Sequence, residues 1–474
     1  MGQSEKKVLL LNPPGDRLYI RDQFCSHVSK GTYYWQPLDL LNISARLHAA
    51  GHELAVVDAI AERLSAEEAQ RRIARFAPDA LVFLTGSDSF QDDVAFVAEV
   101  KRRGVKIAVG IGDILREKGD QLMAKHPEID AYMHDFVHHG LHDFLQGRLD
   151  DAANMTVRTA TGLRKIEEKN GQRTFTLPTP PYDIFPLDRY RMPYNRYHPY
   201  ATLITSSWCP FGCSFCPFAR TSYRVREVDD VLRNMEDIRK MGIRQVHLAD
   251  WTFGVDRKQA VGILKGMIEA KFNFTWSCLS RVDLMDREMM QLLKDAGCDL
   301  IEFGVESGTQ EFLDRYDKGI TLEQIRSAFR WSHELKLSTL ATFVLGLPGE
   351  TKEHLQTTLD LALEIEPTFC SFNVASPRMG TSLRRQMIKD GIIQDEEIEV
   401  LDSSRSQPAF STEQLAAADL QNFRQTAIRK FYMRPSYLVQ RLRRVSSLVE
   451  LQNYAGNGMS LIWQSIQSAR ARRT

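Results

Sequence analysis

The chain has 474 residues, more than one hydrophobic core usually serves, so two or three domains are expected. Hydrophobic residues make up 43% and charged residues 26%, which excludes a largely disordered chain. Lys and Arg together number 61, as do Asp and Glu, and this balance gives no basis for a nucleic-acid binder.

No apolar run reaches the ~20 residues that span a bilayer. The N-terminal MGQSEKKVLLLNPP breaks at Pro13-Pro14 after an apolar run of about five residues, too short for a signal peptide. The expected location is the cytoplasm, where the seven cysteines are buried, catalytic or cofactor ligands rather than a disulfide scaffold.

Residues 7–148 alternate between two patterns. KVLLLNPP, ELAVVDA, ALVFLTG and KIAVGIG are short apolar runs, as in strands covered on both faces. PLDLLNISARLHAAG, SAEEAQRRIARFAP and DDVAFVAEVKRRG have helical spacing and stop at Gly or Pro. A weaker fifth unit, IDAYMHDF then HHGLHDFLQGR, follows. This alternation predicts an α/β domain with a doubly wound parallel sheet of Rossmann-like type over 1–148. Residues 149–199, rich in Pro, Tyr and Arg, have no clear period and read as an ordered linker. From residue 200 the alternation returns in six strand–helix units, beginning with YATLITSS and ending with FCSFNVAS. They suit a partial (β/α)6 barrel over 200–399 with its site at the C-terminal strand ends. Residues 400–474 read as a helical C-terminal region.

The first barrel strand runs directly into SSWCPFGCSFCPF. Cys209, Cys213 and Cys216 have the spacing C-x3-C-x2-C. Three thiolates on one tight loop suit three irons of a [4Fe–4S] cube, leaving the fourth iron open to a small chelating ligand. Gly212 permits a tight turn and Phe215 offers an aromatic face beside the last thiol. Two other readings stand beside this one: a closed zinc site completed by Cys278 or His198, and unrelated buried thiols.

The cysteine spacing with Phe215 resembles the radical S-adenosylmethionine (SAM) superfamily. WSCLSRVD, LKDAGCDLIEFGVESG, the run Lys318-Gly319-Ile320-Thr321, FVLGLPGET and Pro377-Arg378-Met379-Gly380-Thr381 extend the resemblance, over roughly 200–385, to the subgroup with an N-terminal cobalamin-binding domain. The resemblance implies that the open iron chelates SAM. One electron then breaks the S–C5′ bond, and the 5′-deoxyadenosyl radical takes a hydrogen atom from a small-molecule substrate. It implies an external electron donor of flavodoxin or ferredoxin type.

For SAM the resemblance implies contacts at strand ends. Asp250 stands where the family places a polar group for the ammonium, followed here by Trp251 instead of a second acid; a helix cap or loop residue is its plain alternative. Arg281 ends the third strand, and Glu306 and Ser307 end the fourth. By the period of two, Glu302, Gly304 and Glu306 share one face, with Arg281, or the charge and ribose hydroxyls of SAM, as partners for the acids. Gly346 opens the Gly-Leu-Pro-Gly turn placed near the adenosyl group, and Glu350 reads as a first-turn helix residue.

In the N-terminal domain, Asn12, Thr85, Ser87, Gly110 and Gly112 are the candidate cobalamin contacts, on loops at the switch point of the sheet. The sequence departs from the subgroup there: Gly-Ile-Gly replaces a Gly-Gly pair, DFVHHGLHD replaces Gly-Glu-Gly-Glu, and no Asp-x-His-x-x-Gly occurs. A domain that only packs on the barrel is the alternative. His138, His139 and His142 read as solvated helix residues, and the aromatic run GTYYWQPLD as core packing.

Residues 424–474 hold ten Arg or Lys against one acid, Glu450. A solvated face, a lid over the barrel and peripheral contact with anionic lipid compete for this segment.

The implied function is cobalamin-dependent methylation of an unactivated carbon. Oxidation, cyclisation, dehydration or rearrangement without methyl transfer is the second reading, and a cobalamin or metal sensor without turnover is the third.

Overall fold

A computed structural model describes residues 5–23, 26–29, 33–168, 171, 173–394 and 410–444, with side chains to Arg441. The chain divides into two compact units, the first ending at Tyr190 and the second beginning at Arg191.

The first unit follows the alternation of the sequence. Its elements are β1 (Lys7–Asn12), α1 (Leu38–Ala49), β2 (Glu53–Asp58), α2 (Ala66–Phe76), β3 (Ala80–Leu84), α3 (Phe90–Arg102), β4 (Ile107–Ile111), α4 (Asp113–Lys125), β5 (Ala131–Met133) and α5 (Gly140–Leu145). The five strands are parallel in the order β2-β1-β3-β4-β5, the flavodoxin-like doubly wound arrangement. Val8 to Leu11 and Ala80 to Leu84 are fully buried, because helices cover both faces and leave no polar alternation to read. Local signals set the helix ends. α2 starts in a capping box: Ser65 Oγ accepts from the Glu68 N–H (3.2 Å), and Glu68 Oε2 accepts from the Ser65 N–H (2.8 Å).

Two features differ from the sequence reading. Part of the segment read as a linker is a hairpin, β6 (Met155–Thr159) and β7 (Gly162–Ile166), which adds two antiparallel strands beyond β5. Its turn is only two residues long, and Met155 and Val157 alternate with Thr and Arg over too few positions to stand out as a period. His138, His139 and His142 are not simply solvated. His138 approaches Asp135 (3.3 Å) and Glu168 (3.4 Å), His139 meets Arg46 (2.9 Å), and His142 meets His52 (3.0 Å).

In the second unit six strands run parallel in sequence order: β8 (Tyr200–Leu203), β9 (Gln245–Leu248), β10 (Thr275–Ser280), β11 (Cys298–Glu306), β12 (Ser338–Leu345) and β13 (Phe369–Val374). Their connections hold α6 (Val228–Lys240), α7 (Arg257–Glu269), α8 (Arg287–Asp295), α9 (Gln310–Arg315), α10 (Leu322–Leu335) and α11 (Lys352–Glu364). The order is that of a partial (β/α)6 barrel. Ile301, Phe303, Val305, Ala341, Phe343 and Leu345 are buried on the helix side, where Phe303 meets Phe329 of α10 with ring centroids 5.5 Å apart. The opposite face of β11 to β13 is half-exposed and carries Glu302, Gly304, Thr342, Ser371 and Asn373. A polar, half-exposed inner face lines a space instead of filling a core.

After β13 come α12 (Ser382–Lys389), α13 (Ala417–Tyr432) and α14 (Pro435–Arg444). Side chains of the last two helices take hydrogen bonds that a further strand would make along β13. Arg424 Nε donates to the Phe372 carbonyl (2.9 Å). Tyr432 Oη donates to the Cys370 carbonyl (2.7 Å) and accepts from the Cys370 N–H (2.9 Å). Tyr437 Oη donates to the Thr368 carbonyl (3.2 Å). An exposed strand edge is thereby covered. The described part of the basic segment is thus a docked helix pair, and the arginines beyond Arg444 lie outside the described residues. No described helix is long and apolar enough to cross a membrane.

Candidate active site

β8 ends early for a chemical reason. Asp250, just past β9, is 1% exposed and accepts from the backbone N–H of Thr205 (2.6 Å) and Ser206 (3.1 Å) and from the Thr205 hydroxyl. These bonds turn the chain out of the sheet and into the cysteine loop. Burial pushes the Asp250 carboxyl up, and the Thr205 and Ser206 bonds pull it back. Asp250 thus also anchors the loop internally.

The loop is held on both flanks. The Cys209 N–H donates to Thr221 Oγ1 (2.9 Å), and the Thr221 N–H donates to the Cys209 carbonyl (3.1 Å). The Ser214 N–H donates to the Tyr316 carbonyl (2.9 Å). Trp251, where a second acid was expected, lies against Trp208 and Phe218, with centroids 5.3 and 4.9 Å away. These rings pack together on one side of the loop. Phe215 packs against the apolar cluster of Phe312, Leu347, Leu383 and Met387.

Cys209, Cys213 and Cys216 are free thiols, the first two each 8% exposed. Burial pushes the Cys213 and Cys216 thiols up. Cys209 adds to this at both sites and Cys213 adds to it at Cys216, while Lys318 opposes it at both and Arg281 at Cys213. Among the described residues no three His, Cys, Asp or Glu side chains could enclose one metal ion. A tetrahedral zinc site requires such a group, whereas thiolates that each take a separate iron of a cube do not. The residues present fit a cluster: three thiols free of disulfides on one anchored loop, two of them buried, with the Arg281 guanidinium 3.9 Å from the Cys213 sulfur.

Arg281 and Glu306 do not pair, contrary to expectation. Arg281 makes a forked ion pair with Asp283 (2.9 and 3.0 Å), lies 3.8 Å from the centroid of the Phe211 ring and points Nη1 at Cys213 Sγ (3.9 Å). Asp283 is two positions along from Arg281, so the fork closes locally before any longer-range partner competes. Glu306 instead accepts from Lys318 Nζ (2.8 Å), with both residues buried. The period of two also breaks here. A register shift between Gly304 and Glu306 bulges β11, and Glu306 has φ +70°. Its carboxylate still returns over Gly304, where a Cβ would lie 2.3 Å from Glu306 Oε1 and 2.7 Å from Lys318 Nζ. Only glycine leaves room for that ion pair. Ser307 is buried in a local bond with Thr309 (3.2 Å). Glu302 has no hydrogen bond or ion pair among the described residues; burial, then the charge of Glu306, pushes its carboxyl up to about 7.

Gly346 has φ +82°, and a Cβ there would lie 2.2 Å from Leu420 of α13. Its N–H and that of Leu347 donate to Glu350 Oε2 (2.6 and 3.0 Å). Glu350 is fully buried, and its Oε1 has no hydrogen-bond partner among the described residues.

In the first unit the candidate residues form the floor of the strand-end face. Asn12, fully buried, donates to Asp58 (3.0 Å) and to Tyr34 Oη, and accepts from Arg21 (2.8 Å). Thr85 Oγ1 donates to Asp93 (2.9 Å), and Ser87 is bound through its N–H and hydroxyl to Asp113 (2.9 and 3.0 Å). Gly110 admits Leu115 and Phe83, and Gly112 lies hard against the Thr85 carbonyl. These five residues shape the loops from inside. Unsatisfied acceptors sit on neighbouring residues that sequence reasoning missed. Gln23 Oε1 and Asp39 Oδ2 are buried without a hydrogen-bond partner among the described residues. Burial pushes the Asp39 carboxyl well up, reinforced by the charges of Asp22 and Asp113. Two orphaned acceptors at a doubly wound switch point fit a ligand rich in amide donors, as the corrin periphery of cobalamin is.

Residues 203–362 match the family model of the radical SAM superfamily. The match makes residues 203–362 a radical SAM domain. The chain is 26% identical over 426 residues to an uncharacterized methyltransferase, PH0819, of Pyrococcus horikoshii, across 85% of this chain and 89% of that protein. In fold this radical SAM enzyme is similar to TsrM of Kitasatospora setae, a radical SAM methyltransferase solved with cobalamin and a [4Fe–4S] cluster bound. Identity there is 18%, coverage 89% of this chain and 84% of TsrM, and the TM-score 0.66. It is also similar to OxsB, a cobalamin-dependent SAM radical enzyme, at 16% identity, 96% and 70% coverage and a TM-score of 0.68.

Glu350 gives the radical SAM enzyme a measurable pH signature. Burial pushes its carboxyl from 4.5 to about 7, so above 4.5 the unfolded chain ionises while the folded one resists. Stability from this group is complete at low pH and is lost as pH rises through about 7, by up to about 3 kcal/mol. Urea unfolding of the wild type between pH 5 and 8 should show this loss, and Glu350→Gln should flatten it. Parallel profiles for the two proteins would refute the assignment.

Proposed function

We propose that this radical SAM enzyme methylates an unactivated carbon of a small-molecule substrate with the help of cobalamin. The observation that carries the reading is the anchored loop of three free thiols after the first of six parallel strands, in a chain whose other unit is doubly wound and holds buried acceptors without partners among the described residues. When bound, the cluster supplies the electron that splits SAM, and cobalamin carries the methyl group.

The chain's own residues bind, orient and exclude. Cys209, Cys213 and Cys216 hold three irons, and the remaining corner is left for SAM. Asp250 and Thr221 fix the loop that presents them. Glu302, unpaired on the inner face, is the carboxylate available to a cationic group of SAM or substrate. The turn at Gly346, tied to Glu350, brings backbone to the strand ends where an adenosyl group is expected. Trp208, Phe218 and Trp251 keep water from one side. In the first unit, Gln23 and Asp39 accept hydrogen bonds from amide groups of the corrin. The relationship to a methyltransferase over most of both chains supports methyl transfer. An external one-electron donor of flavodoxin or ferredoxin type completes the cycle.

Anaerobic reconstitution with iron and sulfide, reduction, and addition of SAM and hydroxocobalamin tests the reading. The protein should hold about four irons per chain, release 5′-deoxyadenosine and methionine, and keep cobalamin through gel filtration. Zinc in place of iron would overturn the radical chemistry. Iron and SAM cleavage without retained cobalamin would overturn methyl transfer alone.

A further inference from the structure

Arg281 reaches both a ring and a sulfur of the cysteine loop. It stands just past β10 and is 5% exposed. Its Nε and Nη2 close the fork on Asp283 (2.9 and 3.0 Å), and Nη2 also meets the Gly319 carbonyl (3.3 Å). Its Cζ lies over Phe211, 3.8 Å from the ring centroid, and Phe211 stands between Cys209 and Cys213. Nη1 remains. It points at the Cys213 sulfur 3.9 Å away, its one hydrogen-bond partner among the described residues. The acid therefore holds one edge of the guanidinium, the ring and carbonyl fix its plane, and the edge left over faces the sulfur. Only arginine among the cationic side chains has a planar fork that can serve an acid and still aim an N–H elsewhere.

We propose that Arg281 is a positioning residue that raises the reduction potential of the cluster through its contact with Cys213. Resting on the reading above, it sets an N–H of a permanent cation against a ligand sulfur and stabilises the form carrying one more electron. Hydrogen bonds to the sulfurs and net charge are among the main controls of iron–sulfur potentials, and a charge acts more strongly where water is excluded. Asp283 has two opposed effects: its fork aims Nη1, and its own charge offsets part of the cation's. The step assisted is a one-electron transfer: the external donor is oxidised, the cluster is reduced, and no proton moves.

The test is a redox titration of reconstituted protein without SAM, followed by the spectroscopic signal of the reduced cluster. Arg281→Met should load about four irons, like the wild type. At a fixed potential its ratio of reduced to oxidised cluster should fall about tenfold, equal to about 59 mV for a one-electron couple. Because Arg281→Met leaves Asp283 without its cation, Arg281→Met/Asp283→Asn is measured as well, and its ratio should still lie below that of the wild type. Asp283→Asn alone keeps the guanidinium, and its amide oxygen still accepts one N–H, so its ratio should rise. A role confined to packing the loop would not move the two single variants in opposite directions. Full iron with an unchanged ratio in Arg281→Met, or a double variant at the wild-type ratio, overturns the proposal. If loss of the stack on Phe211 stops Arg281→Met from loading iron, Asp283→Asn decides: a rise supports the proposal, and an unchanged or lower ratio overturns it. Failure of the wild type to load iron would instead overturn the underlying radical SAM reading.

Discussion

Cys213→Ala is expected to abolish formation of 5′-deoxyadenosine and to strip most of the iron from anaerobically reconstituted protein. Cys213 lies in the middle of the motif, 8% exposed, with Arg281 Nη1 3.9 Å from its sulfur and Lys318 acting on its charge. Two thiolates cannot secure a cube that three are arranged to hold. Cys213→Ser separates ligation from packing. The hydroxyl keeps nearly the same volume but is a poor iron ligand, so the serine variant should lose iron and activity with little change in thermal unfolding of the apoprotein. The same loss is expected for Cys209, whose sulfur lies 3.6 Å from Thr252 Oγ1. Retention of about four irons and of SAM cleavage by either Cys213 variant would remove that residue from the ligand set.

Arg21→Met is expected to be the most destabilising substitution in the first unit. Arg21 and Asp93 are fully buried side chains joined at 2.6 and 3.1 Å, and the same guanidinium donates to Asn12 Oδ1 (2.8 Å) and the Pro13 carbonyl (3.0 Å). Asp93 also receives Thr85 and Ser89, yet burial still pushes its carboxyl up. Taking away the cation leaves an acid in a site that already disfavours its charge, at a cost of about 3–5 kcal/mol. That is a large share of the about 5–15 kcal/mol that holds a domain folded. Urea unfolding of the full chain should show the first unit lost at lower denaturant, and Arg21→Met/Asp93→Leu should recover much of the loss. A shift under about 1 kcal/mol for the single variant would refute the assignment. The network also places the loop after β1 across the switch point, so the same variant should weaken cobalamin retention at temperatures where the protein remains folded.

The parts of this enzyme that read directly from sequence are those built from neighbours in the chain. β1 and β3 are continuous apolar runs because both faces are covered, and α2 announces itself by Ser65 and Glu68. The cysteine motif is equally local, since its spacing on one loop carries the coordination chemistry. The hairpin at 155–166 was hidden because two short strands around a two-residue turn offer too few positions to establish a period.

Charge partners were not legible. The forked bond of Arg281 to Asp283 spans two residues and could have been weighed, but Lys318 reaches Glu306 across 12 residues, Arg21 reaches Asp93 across 72, and Tyr190 reaches Asp58 across 132. Many Asp and Glu residues compete for each cation in a chain with 61 acids, and sequence spacing does not rank them. Asp250 and Asn12, polar residues at strand ends, also make internal bonds that spacing does not reveal. The orphaned acceptors were left on Gln23 and Asp39, which no motif marks.

By itself the sequence determined the α/β alternation and the three-thiol loop, because periodicity and short-range spacing survive in one dimension. Only the tertiary structure decided which acids are anchored, which are left unpaired and which cation faces the sulfurs. Those outcomes depend on burial and on angstrom-scale distance between segments, quantities that exist only after the strands have met.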